Sequence, residues 1–182
     1  MTSMLLTALG VLLCVLATSA DVQPQKDFNL QKFSGKWYLI GFATNAPWFV
    51  AKKTAMKQGV VVFTPTAGGD LDMSYSSKKA DGTCWQATHL ATKTETPGRF
   101  TFFSQRWGNN NDMRIVESKY EEYTMVYTIK TKGEDTSTLL KIYSRTTELR
   151  PELLQKFRQF CIENGIEKDN IAILPVNDEC VF

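Results

Sequence analysis

The side chains capable of covalent or metal chemistry are few: four cysteines and one histidine in 182 residues. Cys14 lies in an uncharged apolar leader, which leaves Cys84, Cys161 and Cys180. In an oxidising compartment three thiols make at most one internal bridge and one odd cysteine. Cys84 opens a predicted strand and Cys180 lies near the chain end. A bridge between them would pin the tail, closing a loop of roughly a hundred residues and contributing a few kcal/mol. Cys161, in "FRQFCIE", shares helical spacing with Phe157 and Phe160 and reads as a buried small hydrophobe. As the odd thiol it is also the route by which a monomer could become a linked dimer. His89, in "QATHLAT", has no second histidine and no Cys-x-x-Cys with ligand spacing. It reads as a strand residue, and neither metal nor cofactor is expected.

Any positioning frame must be built from β-strands. Short apolar or alternating segments run through "KWYLIGFA" (36–43), "GVVVFTP" (59–65), "LDMSYSS" (71–77), "CWQATHLA" (84–91), "RFTFFSQ" (99–105), "DMRIVES" (112–118), "YTMVYTIK" (123–130) and "TLLKIYSR" (138–145). Gly, Asn, Asp and Pro punctuate the junctions, as strand turns require. Connections this short force antiparallel neighbours, and eight such strands suit a sandwich or an up-and-down barrel. After Arg145 the period changes. "PELLQKFRQFCIENG" starts with Pro151, ends at Gly165 and carries Leu153, Leu154, Phe157, Phe160 and Cys161 on one face, which predicts an amphipathic helix. "NIAILPV" (170–176) returns as a last short strand. The stretch from Thr44 to Gln58 is too long for a hairpin loop and holds Pro47, Trp48, Phe49, Lys52 and Lys53. An aromatic-rich loop of that length is expected to cover something.

Residues 1–20, "MTSMLLTALGVLLCVLATSA", fit a signal peptide: the apolar run is too short to span a bilayer, and small residues close it. That leaves residues 21–182 as one secreted domain without stable membrane insertion. A formal charge of +2, scattered along the chain, gives no basic stripe for nucleic acid.

"FSGKWY" near the start of the domain, with Gly35-Lys36-Trp37, then Ser118-Lys119-Tyr120, then Arg145 in "YSRTTEL", resembles the three ordered sequence elements of the lipocalins. The resemblance implies an all-β fold: an eight-stranded up-and-down antiparallel barrel with the C-terminal helix packed outside. Gly35, Trp37 and Arg145 then become structural residues of the closed end, where the ring and the guanidinium pack together. Within the family, "NAPWFVAKK", "QRWGNNN", "MRIVESKYEEY" and "FRQFCIENG" resemble the prostaglandin D synthase branch. In that branch a cysteine thiolate facing the cavity isomerises prostaglandin H. Here its position falls on Gly59, and three hydroxyls near it align with Leu39, Val61 and Tyr75. Without a thiol the nucleophile is lost.

The expected function is therefore non-catalytic: a secreted carrier of one small hydrophobic ligand such as a retinoid or fatty acid. The alternative is an isomerase retained despite the missing thiol. The resemblance and the strand alternation together make Trp48, Lys53, Met56, Met73, Tyr75, Arg106, Trp107 and Tyr143 the candidate ligand-binding residues. Lys53 and Arg106 would pair with a carboxylate while the rings bury the tail. Trp48 would guard the mouth, opposite Trp37 at the floor. An interior trio of cations, which some lipocalins use to hold siderophores, is not visible in the sequence.

Overall fold

The structure, a computed structural model, describes residues 21–180; the leader and its Cys14 lie outside the described residues. Eight strands run up and down in chain order: β1 (Gly35–Thr44), β2 (Val60–Pro65), β3 (Leu71–Lys78), β4 (Cys84–Lys93), β5 (Arg99–Ser104), β6 (Asn109–Lys119), β7 (Tyr123–Lys132) and β8 (Asp135–Ser144). Each pairs antiparallel with the next. β1 bonds to both β8 and β2, which closes the sheet into a barrel. Closure removes the open edges that an eight-strand sheet would otherwise present.

β1 serves two partners along one edge. Gly35–Tyr38 pair with β2, and Gly41–Ala43 pair instead with β9 (Ile171–Ile173), the short strand expected near the C-terminus. β7 and β8 are joined by Gly133-Glu134 alone, with Gly133 at φ +60, the first position of a tight hairpin turn of the II′ kind. The loosest seam is β4–β5, where only Thr92↔Thr101 and Lys93↔Phe100 are in register.

Two helical segments differ from the sequence expectation. Asn29 caps a short helix α1 (Leu30–Phe33) through its side chain, ahead of β1. The 44–58 stretch is not irregular throughout: Pro47 sits at the first position of α2 (Pro47–Lys52), followed by a 3-10 turn at Lys53–Ala55. The C-terminal helix α3 (Pro151–Glu163) matches its prediction.

Alternation along the strands sorts the core into two layers. One fills the barrel: Trp37, Leu39, Phe42, Val61, Phe63, Leu71, Met73, Phe100, Met113, Val126 and Tyr143, among others. The second lies between the outer wall and α3, with Ile40, Leu140 and Ile142 against Leu153, Phe157 and Cys161. Gly41 makes this docking close, since a Cβ there would stand 2.7 Å from the Phe157 ring. Among the described residues no helix is long and apolar enough to cross a membrane.

Candidate functional site: the barrel interior

The closed end is fixed by Arg145. Its Cζ lies 3.7 Å from the centroid of the Trp37 ring. The guanidinium donates to the carbonyls of Tyr120 (2.8 Å), Lys36 (2.7 Å) and Ser34 (2.8 Å). Trp37 donates its indole N–H to the Phe33 carbonyl at 2.8 Å. Gly35 allows this approach: its φ is +98, and a Cβ would meet an Arg145 nitrogen at 3.3 Å. Across from it, the Tyr120 hydroxyl accepts from the backbone N–H of Asn29 at 2.8 Å, tying the N-terminal segment over the floor.

The tail is held by a disulfide between Cys84 and Cys180, 96 positions apart. Cys161 is free and fully buried on the inner face of α3, and burial pushes its thiol up to about 12.

Just above the floor, Met73 and Tyr143 are buried in the barrel core, with Tyr143 edge-on to Phe63 at 5.9 Å. Tyr75 and Met56 are partly buried against the same cluster. Arg106 and Trp107 follow β5 at the rim; the guanidinium lies over both Trp85 (5.3 Å) and Trp107 (5.5 Å). Trp107 is 51% exposed and Trp48 47% exposed. Trp48 stands on α2 edge-on to Phe42 and Phe49, while Phe49 itself is completely buried and stacked on Phe42 at 5.2 Å. Lys53 points away from this group: its ammonium donates to the Asp169 carbonyl at 2.5 Å, beside the 3-10 turn at Lys168–Asn170.

At Gly59 the missing side chain leaves no hole. A Cβ built there would fall 2.3 Å from the Tyr75 phenol oxygen and 2.6 Å from the Ser76 carbonyl. Tyr75 therefore occupies the volume a cysteine side chain would need. Burial also pushes its phenol up to about 12, so it does not ionise at neutral pH.

Basic side chains face the interior, though not as three cations: Lys130, Lys141 and His89, whose lowered pKa leaves it uncharged at neutral pH. Phe42↔Lys141 and Val126↔Lys141 are partners across the sheet, so Lys141 shares the inward face of Phe42, Val126 and Tyr143. Lys130 faces inward two positions nearer the mouth, opposite Asn111 and Ser137. His89 is the partner of Met73 and faces the Phe102 ring at 5.0 Å, with the Ser104 hydroxyl 3.3 Å away. Burial lowers Lys141 to about 8, and burial plus repulsion from Lys141 lowers Lys130 to about 8. His89 is likewise lowered by burial and then by both lysines. Lys141 is walled in by protein, yet part of its surface is still reached by solvent. The same alternation that turns Tyr143 inward carries Lys141, two residues before it, to the same face. Phe42, Phe49, Trp85 and Phe102 also join the aromatic lining, although the sequence reading does not single them out.

Residues 34–178 match the lipocalin / cytosolic fatty-acid binding protein family. The chain belongs to the lipocalin family. This lipocalin is 46% identical over 171 residues to "Lipocalin" of Rhinella marina, covering 94% of the chain and 93% of that relative. It is 36% identical over 179 residues to "Prostaglandin-H2 D-isomerase" of Felis catus, covering 97% and 92%. Among solved structures it superposes with TM-score 0.71 on the protein of "The Siderocalin Ex-FABP functions through dual ligand specificities", covering 82% of this chain and 99% of that one. At 23% identity that likeness bears on the barrel fold alone.

Proposed function

We propose that this lipocalin is a secreted carrier that holds one small hydrophobic molecule, such as a retinoid or fatty acid, inside the barrel without converting it. The observation that carries the reading is the inward face of the strands. Its lower part is a continuous cluster of apolar and aromatic side chains, with Lys130, Lys141 and His89 set among them, and where the resembling isomerases need a thiol it presents Gly59 covered by Tyr75. Burying ten or so methylenes at about 0.8 kcal/mol each supports micromolar or tighter binding after ordering costs. Trp48, Met56, Met73, Tyr75, Trp107 and Tyr143 form the apolar contact set in this reading. Arg106, at the rim between Trp85 and Trp107, offers the cation for a carboxylate. Lys53 could join it only by giving up the Asp169 carbonyl. The uncharged leader and the Cys84–Cys180 bridge support an extracellular setting. Burial of Cys161 favours a monomer, because its thiol must be uncovered before it can link two chains.

Titration of the mature protein with retinoic acid and a long-chain fatty acid, followed by tryptophan quenching, tests this directly. Saturable quenching with no turnover of prostaglandin H in the same sample is the expected result. Turnover above the spontaneous rate would establish the isomerase reading instead.

A further inference from the structure

Lys141 is placed as few lysines are. Its Nζ lies 5.9 Å from the Phe42 ring and 5.9 Å from the Tyr143 ring, inside the barrel. Among the described residues its ammonium has neither an ion-pair partner nor a hydrogen bond, whereas Lys36, Lys78 and Lys156 each hold a carboxylate. The one Asp or Glu in inward register on the described strands is Asp135, at the mouth end of β8 and six residues from Lys141, where the alternate positions between them are Ser137 and Leu139. The titratable groups facing it are Lys130 from β7, His89 from β4, Tyr75 from β3 and Tyr143 on its own strand. None of these is anionic at neutral pH, given the directions in which burial moves them.

An ammonium held in apolar surroundings without a counter-ion is the arrangement that makes a lysine a nucleophile rather than a charge partner. Extending the carrier reading, on which it rests, we propose that Lys141 is a covalent attachment site for lipid aldehydes entering the barrel. The neutral amine attacks the carbonyl carbon, forming a C–N bond as the C=O pair moves onto oxygen. The nitrogen gives up a proton and the oxygen gains one, leaving a carbinolamine. The C–O bond then breaks, water leaves and a C=N bond remains. One water is released per adduct, nothing is oxidised or reduced, and hydrolysis reverses the step. The Tyr143 phenol, which burial keeps protonated, is an O–H donor on the same face for the departing oxygen.

Each unit of pKa lowering raises the free-amine fraction tenfold at neutral pH. A fall from 10.5 to about 8 therefore outweighs the weaker intrinsic basicity, and a preference of about tenfold over any surface lysine is expected. The probe is decanal, a saturated aldehyde that offers no conjugate-addition route to thiols, trapped with cyanoborohydride at pH 7.5 and mapped by peptide mass spectrometry. Decanol, which cannot condense, reports non-covalent binding through tryptophan quenching. The expected result is a reduced adduct about tenfold more abundant at Lys141 than at any surface lysine, lost from that position in Lys141→Arg and in Lys141→Met, with decanol still bound by at least one of the two. Adduct spread evenly over surface lysines, or undiminished in Lys141→Arg, while decanol binds normally, overturns the attachment site and leaves the carrier intact. If the wild type binds neither decanol nor decanal, the carrier reading fails and takes this proposal with it.

Discussion

Arg145 shows how much one side chain can specify. Its planar fork meets four backbone carbonyls, those of Tyr120, Lys36, Ser34 and Lys32, while its face covers Trp37, a combination that a lysine's single ammonium cannot reproduce. Arg145→Lys is expected to lower stability by about 2–4 kcal/mol, read as a lower denaturant midpoint with an unchanged slope. The buried titratable residues make a second prediction. Lys130 and Lys141 release their protons near pH 8 when folded but near 10.5 when unfolded, so between those values the unfolded chain binds more protons and stability rises with pH. Cys161, ordinarily 9.0, and Tyr75, ordinarily 10.0, both move to about 12, so the folded chain holds their protons longer and stability falls as pH climbs past 9 and then 10. Thermal melts from pH 7 to 11 should show a rise above pH 8 that turns over near pH 10. The double variant Lys130→Met/Lys141→Met should lose the rise and keep the fall.

At the scale of elements, helix α3 is held by the meeting of Gly41 and Phe157. A methyl group at Gly41 would lie 2.7 Å from the Phe157 ring and 2.8 Å from Ile142, so Gly41→Ala must displace the helix and is expected to cost about 1–3 kcal/mol. Phe157→Ala leaves a void instead, at about 3–5 kcal/mol. The pair combined should cost less than their sum, because the void accepts the methyl; chemical denaturation of the four proteins measures that coupling. The strands and α3 are legible in the sequence because alternation, turn residues and the Pro151-to-Gly165 frame agree with one another. The short helix α2 is not, since one turn and a half carries too few residues to display a period, and Pro47 alone serves a turn as well as a helix start. The interior cations escape for a different reason. A lysine in a strand ordinarily belongs to solvent, and only the register that pairs Lys141 with Phe42 and Val126 reveals that it does not.

For the molecule as a whole, the tail is fastened twice: β9 pairs with β1, and Cys180 is bonded to Cys84 at the start of β4. A bridge closing a loop of 96 positions constrains the unfolded chain strongly. Replacing both cysteines by serine is expected to cost about 4 kcal/mol, with β9 still paired. Hydrogen exchange distinguishes the two fastenings: amides of Gly41–Ala43 should stay protected in the double serine variant, while exchange around Cys84 quickens. The least fastened part of the wall is the β4–β5 seam, with two residue pairs in register.

The crowding at Gly59 also constrains the order in which substitutions can accumulate. A cysteine arriving first would collide with the Tyr75 phenol and with a backbone carbonyl that cannot swing aside. A smaller residue arriving first at position 75 would leave a cavity, a cost of the kind that barrels tolerate. Shrinking residue 75 relieves only the phenol contact, since the Ser76 carbonyl still stands 2.6 Å from a Cβ at position 59. A thiol at 59 therefore needs two changes on the neighbouring strand: a smaller side chain at 75 and a shift of the backbone at Ser76.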